Sequence, residues 1–253
     1  MKYAIIAAGE GSRLASEGIR QPKPLVRVGG EMLIDRLLRV FMQNNASEIL
    51  VICNNLTTEV SSHLDSLLRN GLQGKPVPLR YVVKTTPSSM HSFFELSRMM
   101  LSDEELHAPE AVVEPFVLTT VDTIFREEEF SRYVEAFEQS EADGMMGVTD
   151  YIDDEKPLYV GTDSQLDITG FYDSVADSPL PVKYISGGIY GLTRPALLTL
   201  CGCMERGESR MRNFQRALIR DGLRLKAFPF SKVLDIDHAS DIEKAEQFLK
   251  IDN

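Results

Sequence analysis

Short apolar runs alternate with longer amphipathic ones through the first half of this chain, and that rhythm constrains its fold more than any other feature. Lys2 to Ala8, Glu48 to Cys53, Leu79 to Lys84 and Pro115 to Thr120 have the length and aliphatic content of buried strands. Between them lie stretches with helical spacing. Met32 to Met42 puts Leu33, Leu37, Val40 and Phe41 on one face, and Thr57 to Leu68 turns Val60, Leu64, Leu67 and Leu68 inward. Ser89 to Leu101 and Glu127 to Gln139 complete the series. The order β-α-β-α-β-α-β-α predicts an α/β fold with a doubly wound, mostly parallel sheet, covered by helices on both faces.

The second half has a different rhythm. Gly144 to Thr149, Leu158 to Gly161, Leu166 to Tyr172 and Val182 to Leu192 are strand-like runs with little helix between them. They predict a β-rich extension leaning on the parallel sheet. Helices are expected at Arg194 to Leu200 and Arg210 to Arg220, with strands at Leu223 to Phe230 and Val233 to Ile236. A last helix is expected from Ser240, as its N-cap, to Leu249. With 253 residues and no repeat or low-complexity linker, the chain reads as one domain, 1–253, with halves of about 1–140 and 141–253. Ser102 to Glu114 carries five acids and no Lys or Arg, the composition of a solvated surface loop.

Charge and cysteine content exclude several classes. The 38 acidic against 27 basic residues give a net charge of −11, which argues against a nucleic-acid partner held by phosphate neutralisation. No apolar run approaches the roughly 20 residues needed to span a bilayer, so no membrane partner is expected. The apolar start, Met1 to Gly9, is too short for the core of a signal peptide and has no cleavage site after it. Cys53, Cys201 and Cys203 are odd in number, and the last two form a C-x-C too tight for an ordinary disulfide. A reduced, cytoplasmic chain is the expectation.

Ala7-Ala8-Gly9-Glu10-Gly11-Ser12-Arg13-Leu14 follows directly on the first strand. Glycines there let a backbone approach a ligand closely, and successive N–H groups can form an anion-binding nest. A dinucleotide fingerprint is excluded, because Leu14 stands where a third glycine is needed and Cys53 and Asn54 where an acid is needed. No G-x-x-x-x-G-K-[ST] run exists. The loop continues to Pro22-Lys23-Pro24-Leu25 and Gly29-Gly30. Between Gly9 and Gly30 it carries four basic residues (Arg13, Arg20, Lys23, Arg27) against two acids. A locally positive loop in an acidic protein points to a polyanion, and the flanking prolines restrict the backbone around Lys23.

The pattern G-x-G-x-R, then P-K-P-L and a glycine, resembles the signature loop of the nucleotidyltransferases, in the spacing of their sugar-1-phosphate and phosphocholine branches. The resemblance implies that Ala7, Ala8, Gly9, Gly11 and Ser12 hold an NTP, and that Arg13 and Lys23 contact phosphates and offset charge in the transition state. Asp122, at the end of an apolar strand, resembles the family's metal-binding aspartate. Asp235 and Asp237 resemble its late acidic element, with Asp235 the better match and Asp237 either a second ligand or the cap of the following turn. Mg²⁺ is the implied cofactor. Thr85 to Ser92 stands at the base-contacting turn, where Ser89 can contact nucleotide or simply open the helix. Ser186 to Tyr190 resembles an acceptor-binding strand that includes Gly188, and Lys183 is the candidate for the acceptor's phosphate. Glu155-Lys156-Pro157 matches a family triplet but stands away from its usual place and reads as coincidental. The implied partners are an NTP and a small phosphorylated acceptor, with the first half binding the former and the second half the latter. A homo-oligomer is compatible with all of this. The alternative is a non-catalytic nucleotide-binding or regulatory module of the same fold.

Overall fold

The computed structural model of the chain describes residues 1–101, 108, 113–153 and 155–250. Strand β1 (Lys2–Ala7) pairs in parallel with β4 (Glu48–Cys53) on one side and β6 (Phe116–Thr120) on the other, and β5 (Leu79–Val83) extends the parallel set beyond β4. Alternate residues of β1 enter two separate cores. Tyr3, Ile5 and Ala7 pack with helices α2 (Leu33–Gln43), α3 (Thr58–Asn70) and α5 (Glu127–Glu138). Ala4 and Ile6 pack with α4 (Ser89–Met100), α6 (Arg194–Glu205) and α7 (Met211–Arg220). A strand buried on both faces has no place for a polar residue, which is why these runs read as continuously apolar.

The β-rich half does not lean on this sheet but continues it. Strand β11 (Tyr184–Leu192) pairs antiparallel with β6 and carries β9 (Tyr159–Thr162) and β10 (Ile168–Tyr172) outward. It also pairs with β8 (Gly144–Thr149), which β12 (Leu225–Phe230) joins in parallel. Among the described residues the result is one nine-stranded sheet. Two small pairings stand apart from this sheet: β2 (Arg27–Val28) with β3 (Glu31–Met32), and β7 (Thr123–Ile124) with β13 (Leu234–Asp235), the second of which matters for the site. Helix α1 (Ser12–Ser16) follows β1, and α8 (Ala239–Lys250) is the last helix described.

Three expectations are corrected. Leu68 is 47% exposed, because Val60, Leu64 and Leu67 already close the stripe that α3 turns inward. Helix α6 runs past Leu200 to Glu205, since Cys203 is buried beneath it and its burial outweighs the helix-weakening Gly202. Ser240 does not cap the last helix. The helix begins at Ala239, and Asp241 reaches back to accept from the N–H groups of Asp237 (3.1 Å) and His238 (2.8 Å). The acidic Ser102 to Glu114 segment lies largely outside the described residues. Among the described residues, no helix is long and apolar enough to cross a membrane.

Candidate active site

Because β1, β4, β5 and β6 run parallel, their carboxyl ends and the segments that follow them gather at one edge of the sheet. A cavity of about 340 Å³ opens there, lined by Ala8, Gly9, Gly11, Lys23, Ser88, Ser89 and Asp122 among others. The two glycines differ in kind. Gly11 has φ +63°, and a Cβ on it would lie 3.3 Å from Lys23 Cβ, so backbone geometry requires glycine. A Cβ on Gly9 would meet nothing within 4 Å, so packing does not require glycine there and leaves room for a ligand to approach the backbone. Opposite the loop, Ser88 caps α4, accepting weakly from the His91 N–H (3.4 Å) and bonding His91 Nδ1 at 2.8 Å. Ser89 lines the cavity; Ala7 is buried in β1 behind it.

The cations meet Asp122 and Asp237 at the edge of this cavity. The Lys23 ammonium donates to Asp122 Oδ2 and to Asp237 Oδ1, both at 2.7 Å, and Arg13 Nη1 donates to Asp237 Oδ2, also at 2.7 Å. Lys23 is only 9% exposed. Burial alone lowers an ammonium's pKa, but the Asp122 and Asp237 carboxylates outweigh it and raise Lys23 above its ordinary value. Burial likewise pushes Asp237 up, and Lys23, followed by Arg13, brings it below the usual aspartate range. Ser12, Arg13, Lys23 and Asp237 line a further hollow of about 280 Å³.

Tertiary pairing delivers the third acid. Strand β13 lies against β7 with Asp235 opposite Thr123, next to Asp122, and the Ile236 N–H donates to the Asp122 carbonyl (3.1 Å). The strand ends at Asp235, yet Asp237 does not cap the turn, a task that falls to Asp241. It turns instead to Lys23 and Arg13.

These residues suit a hard cation. Asp122, Asp235 and Asp237 offer oxygen only, and Mg²⁺ takes one or two carboxylates and completes its shell with phosphate oxygens and water. Among the described residues no three metal-ligating side chains close on a common point. Both oxygens of Asp237 face Lys23 and Arg13, whereas Asp122 meets Lys23 through Oδ2. Asp237 is thus the acid that the two cations engage most fully.

A second cavity, about 290 Å³, is lined by Arg13, Asp235 and Asp237 together with Tyr151, Glu155, Lys156, Ser186 and Gly187. The structure does not bring Lys183 or Gly188 into its lining. Lys183 is exposed and faces Asp150 (3.5 Å) and the ring of Tyr184, while Gly188 sits at φ +69° where β11 shifts register against β8. Glu155 and Lys156, read as coincidental, line this cavity instead. Ser186 donates to buried Gln215 (3.0 Å), which fixes that wall from α7.

Two residues at the site carry no sequence motif. Asn54, buried at the end of β4, donates from Nδ2 to the carbonyls of Ala8 (3.2 Å) and Gly9 (3.3 Å) and so pins the start of the loop. Its position at the carboxyl end of a parallel strand was the only signal for it. Glu17 accepts from the Ala239 N–H (2.7 Å) and pairs with His238 Nδ1 (2.6 Å). That contact spans more than two hundred residues, beyond the reach of any local pattern.

A family model described as nucleotidyl transferase matches residues 2–251. Among curated proteins, the glucose-1-phosphate cytidylyltransferases of Salmonella typhimurium and Salmonella typhi are 32% identical over 53 residues. That match covers 21% of this chain and 21% of those proteins, about a fifth of their length. Similar solved structures include a Bacillus anthracis protein assigned as a glucose-1-phosphate thymidylyltransferase (TM-score 0.79, 19% identity, 100% of this chain and 96% of that one). The inositol-1-phosphate CTP transferase of T. maritima follows (0.71, 19%, 99% and 96%). The CTP:phosphocholine cytidylyltransferase of Streptococcus pneumoniae is similar over 98% of this chain and 99% of its own (0.71, 17%). At these identities the structural likeness establishes the doubly wound fold.

Proposed function

This chain belongs to the nucleotidyl transferase family, and from that premise we propose that it moves an NMP group from an NTP to a small phosphorylated acceptor, releasing pyrophosphate. The observation that carries the reading is the junction of Lys23, Arg13, Asp122 and Asp237, standing between two cavities at the carboxyl edge of the sheet. The NTP takes the cavity between Ala8–Gly11 and Ser88–Ser89, its base and ribose against the turn and its phosphates toward Arg13 and Lys23. The acceptor takes the cavity lined by Lys156 and Ser186. Its phosphate oxygen attacks the α-phosphorus in line, a P–O bond forms, and the bond to the β-phosphate oxygen breaks. Lys23, at the junction, offsets charge on the α-phosphate, and Arg13 offsets charge on the departing pyrophosphate. Phosphoryl chemistry of this kind needs positioning and electrostatic stabilisation rather than a general base.

Asp122 and Asp235 would hold Mg²⁺, which supplies Lewis-acid neutralisation of phosphate charge when bound. In the free protein Asp237 satisfies the two cations, and an incoming triphosphate would take over that task. On this reading residues of about 1–140 form the NTP-binding half and of about 141–253 the acceptor-binding half, within one domain. The cysteine content favours a reduced, cytoplasmic setting.

A pyrophosphate-release screen tests the reading. Purified protein is offered four NTPs against sugar-1-phosphates, polyol phosphates and phosphocholine, with Mg²⁺ and with chelator. Release that needs both an NTP and one acceptor class supports it. No release with any pair, from folded protein, refutes it.

A further inference from the structure

Helix α1, which carries Arg13, is a five-residue helix between two glycines of positive φ, Gly11 (+63°) and Gly18 (+93°). Such a helix is far too short to hold itself, so its position depends on what it touches. Leu14, 1% exposed, anchors one side in the core. On the other side the tie is Glu17, immediately after the helix. One carboxylate oxygen accepts from the Ala239 N–H at 2.7 Å and the other lies 2.6 Å from His238 Nδ1. Both partners belong to the N-terminal end of α8, directly after Asp237. A carboxylate at a helix N-terminus meets unsatisfied N–H groups and the positive end of the dipole. The same two segments therefore meet twice, through Arg13 with Asp237 and through Glu17 with His238 and Ala239.

The two contacts differ in fate. If Arg13 is to face phosphate, it must leave Asp237, and the first contact is lost. The second involves no group assigned to the triphosphate, although His238 also lines the acceptor's cavity, and it can persist. We infer that Glu17 is a positioning residue, which keeps α1 docked on the start of α8 after Arg13 has turned from Asp237 to the phosphates. The inference rests on the reading of Arg13 as a phosphate ligand. Without Glu17, the helix loses its tie to the start of α8 and can pivot about its two glycines on the anchor at Leu14, and Arg13 must be ordered anew each time it binds.

Magnesium pyrophosphate is a probe that needs no catalysis. Its affinity is measured by calorimetry for wild type, Glu17→Ala, Arg13→Ala and the double variant. Glu17→Ala should weaken pyrophosphate by about tenfold when Arg13 is present, and by less than about twofold when Arg13 is already alanine, the non-additivity expected of coupled groups. Glu17→Gln, which still accepts from the Ala239 N–H, should recover most of the loss. In the transfer reaction kcat/KM for the NTP should fall with it, while KM for the acceptor stays put. A residue that merely stabilised the fold would cost the same in both backgrounds. Equal losses in both, no loss at all, or no pyrophosphate binding by wild type would each overturn the inference. A wild type that binds pyrophosphate with the predicted coupling but transfers no nucleotide would instead refute the proposed reaction and leave the positioning role standing.

Discussion

Lys23 keeps its charge in a nearly closed place because two carboxylates face it, and that pairing sets what its loss should do. Removing a cation that acts mainly as charge develops lowers turnover more than binding, and Lys23→Ala should cost about 10²–10³-fold in kcat with KM for the NTP changed far less. Steady-state kinetics with the productive pair decide it, and a kcat within a few-fold of wild type removes Lys23 from the chemistry. Asp122→Asn and Asp235→Asn should each raise the Mg²⁺ concentration needed for half-maximal rate. Unchanged Mg²⁺ dependence in both would dissolve the metal site. Gly11→Ala places a Cβ 3.3 Å from Lys23 Cβ in a left-handed conformation, a strain of about 1–2 kcal/mol that bears directly on the lysine. Reduced thermal stability together with lost turnover is expected, whereas Gly9→Ala, which meets no atom, should leave stability unchanged and weaken NTP binding.

Helix α2 is held to α5 by a charged clamp away from the site. Arg39 donates to both oxygens of Glu127 (2.8 and 2.7 Å) and to both oxygens of Glu31 (2.8 Å each). Arg39 brings the Glu127 carboxyl below its ordinary value of 4.5. A carboxylate with a depressed folded pKa contributes stability that is present above its unfolded value and lost as pH falls through the folded one. Global stability should therefore decline as pH drops below about 4.5, and Glu127→Gln should flatten that decline. Denaturant titrations of both proteins at stepped pH measure the difference, and parallel curves would show that the clamp contributes nothing. The helices themselves were legible from spacing alone, since Leu33, Leu37, Val40 and Phe41 are all buried as their period requires. The fully buried Ile34 and Leu38 beside them widen that stripe, because α2 is covered on more than one side.

Across the whole molecule the two halves share one sheet, with β11 joined to β6 of the first half and to β8 of the second. Unfolding should accordingly be a single transition by every probe, and a fragment ending near residue 140 should not fold, since β6 would lose the neighbour that covers its edge. Two separated transitions would divide the chain into independent domains. What the sequence determined by itself is whatever depends on near neighbours: the apolar period of each strand and helix, their order, and hence a parallel sheet whose carboxyl edge collects the loops. The glycine-rich loop and its two cations were legible for the same reason, being contained within about twenty residues. Only the tertiary structure decided which acid each cation meets. Asp237 lies more than two hundred residues from Arg13 and Lys23, and the capping role that the sequence left open for it falls to Asp241. It likewise turned Lys183 outward and brought Lys156 into a cavity. Local patterns report on backbone geometry and burial, which are set within a turn or two of chain. The direction of a charged side chain is set by whichever opposite charge the fold happens to bring near, and that is a property of the closed sheet.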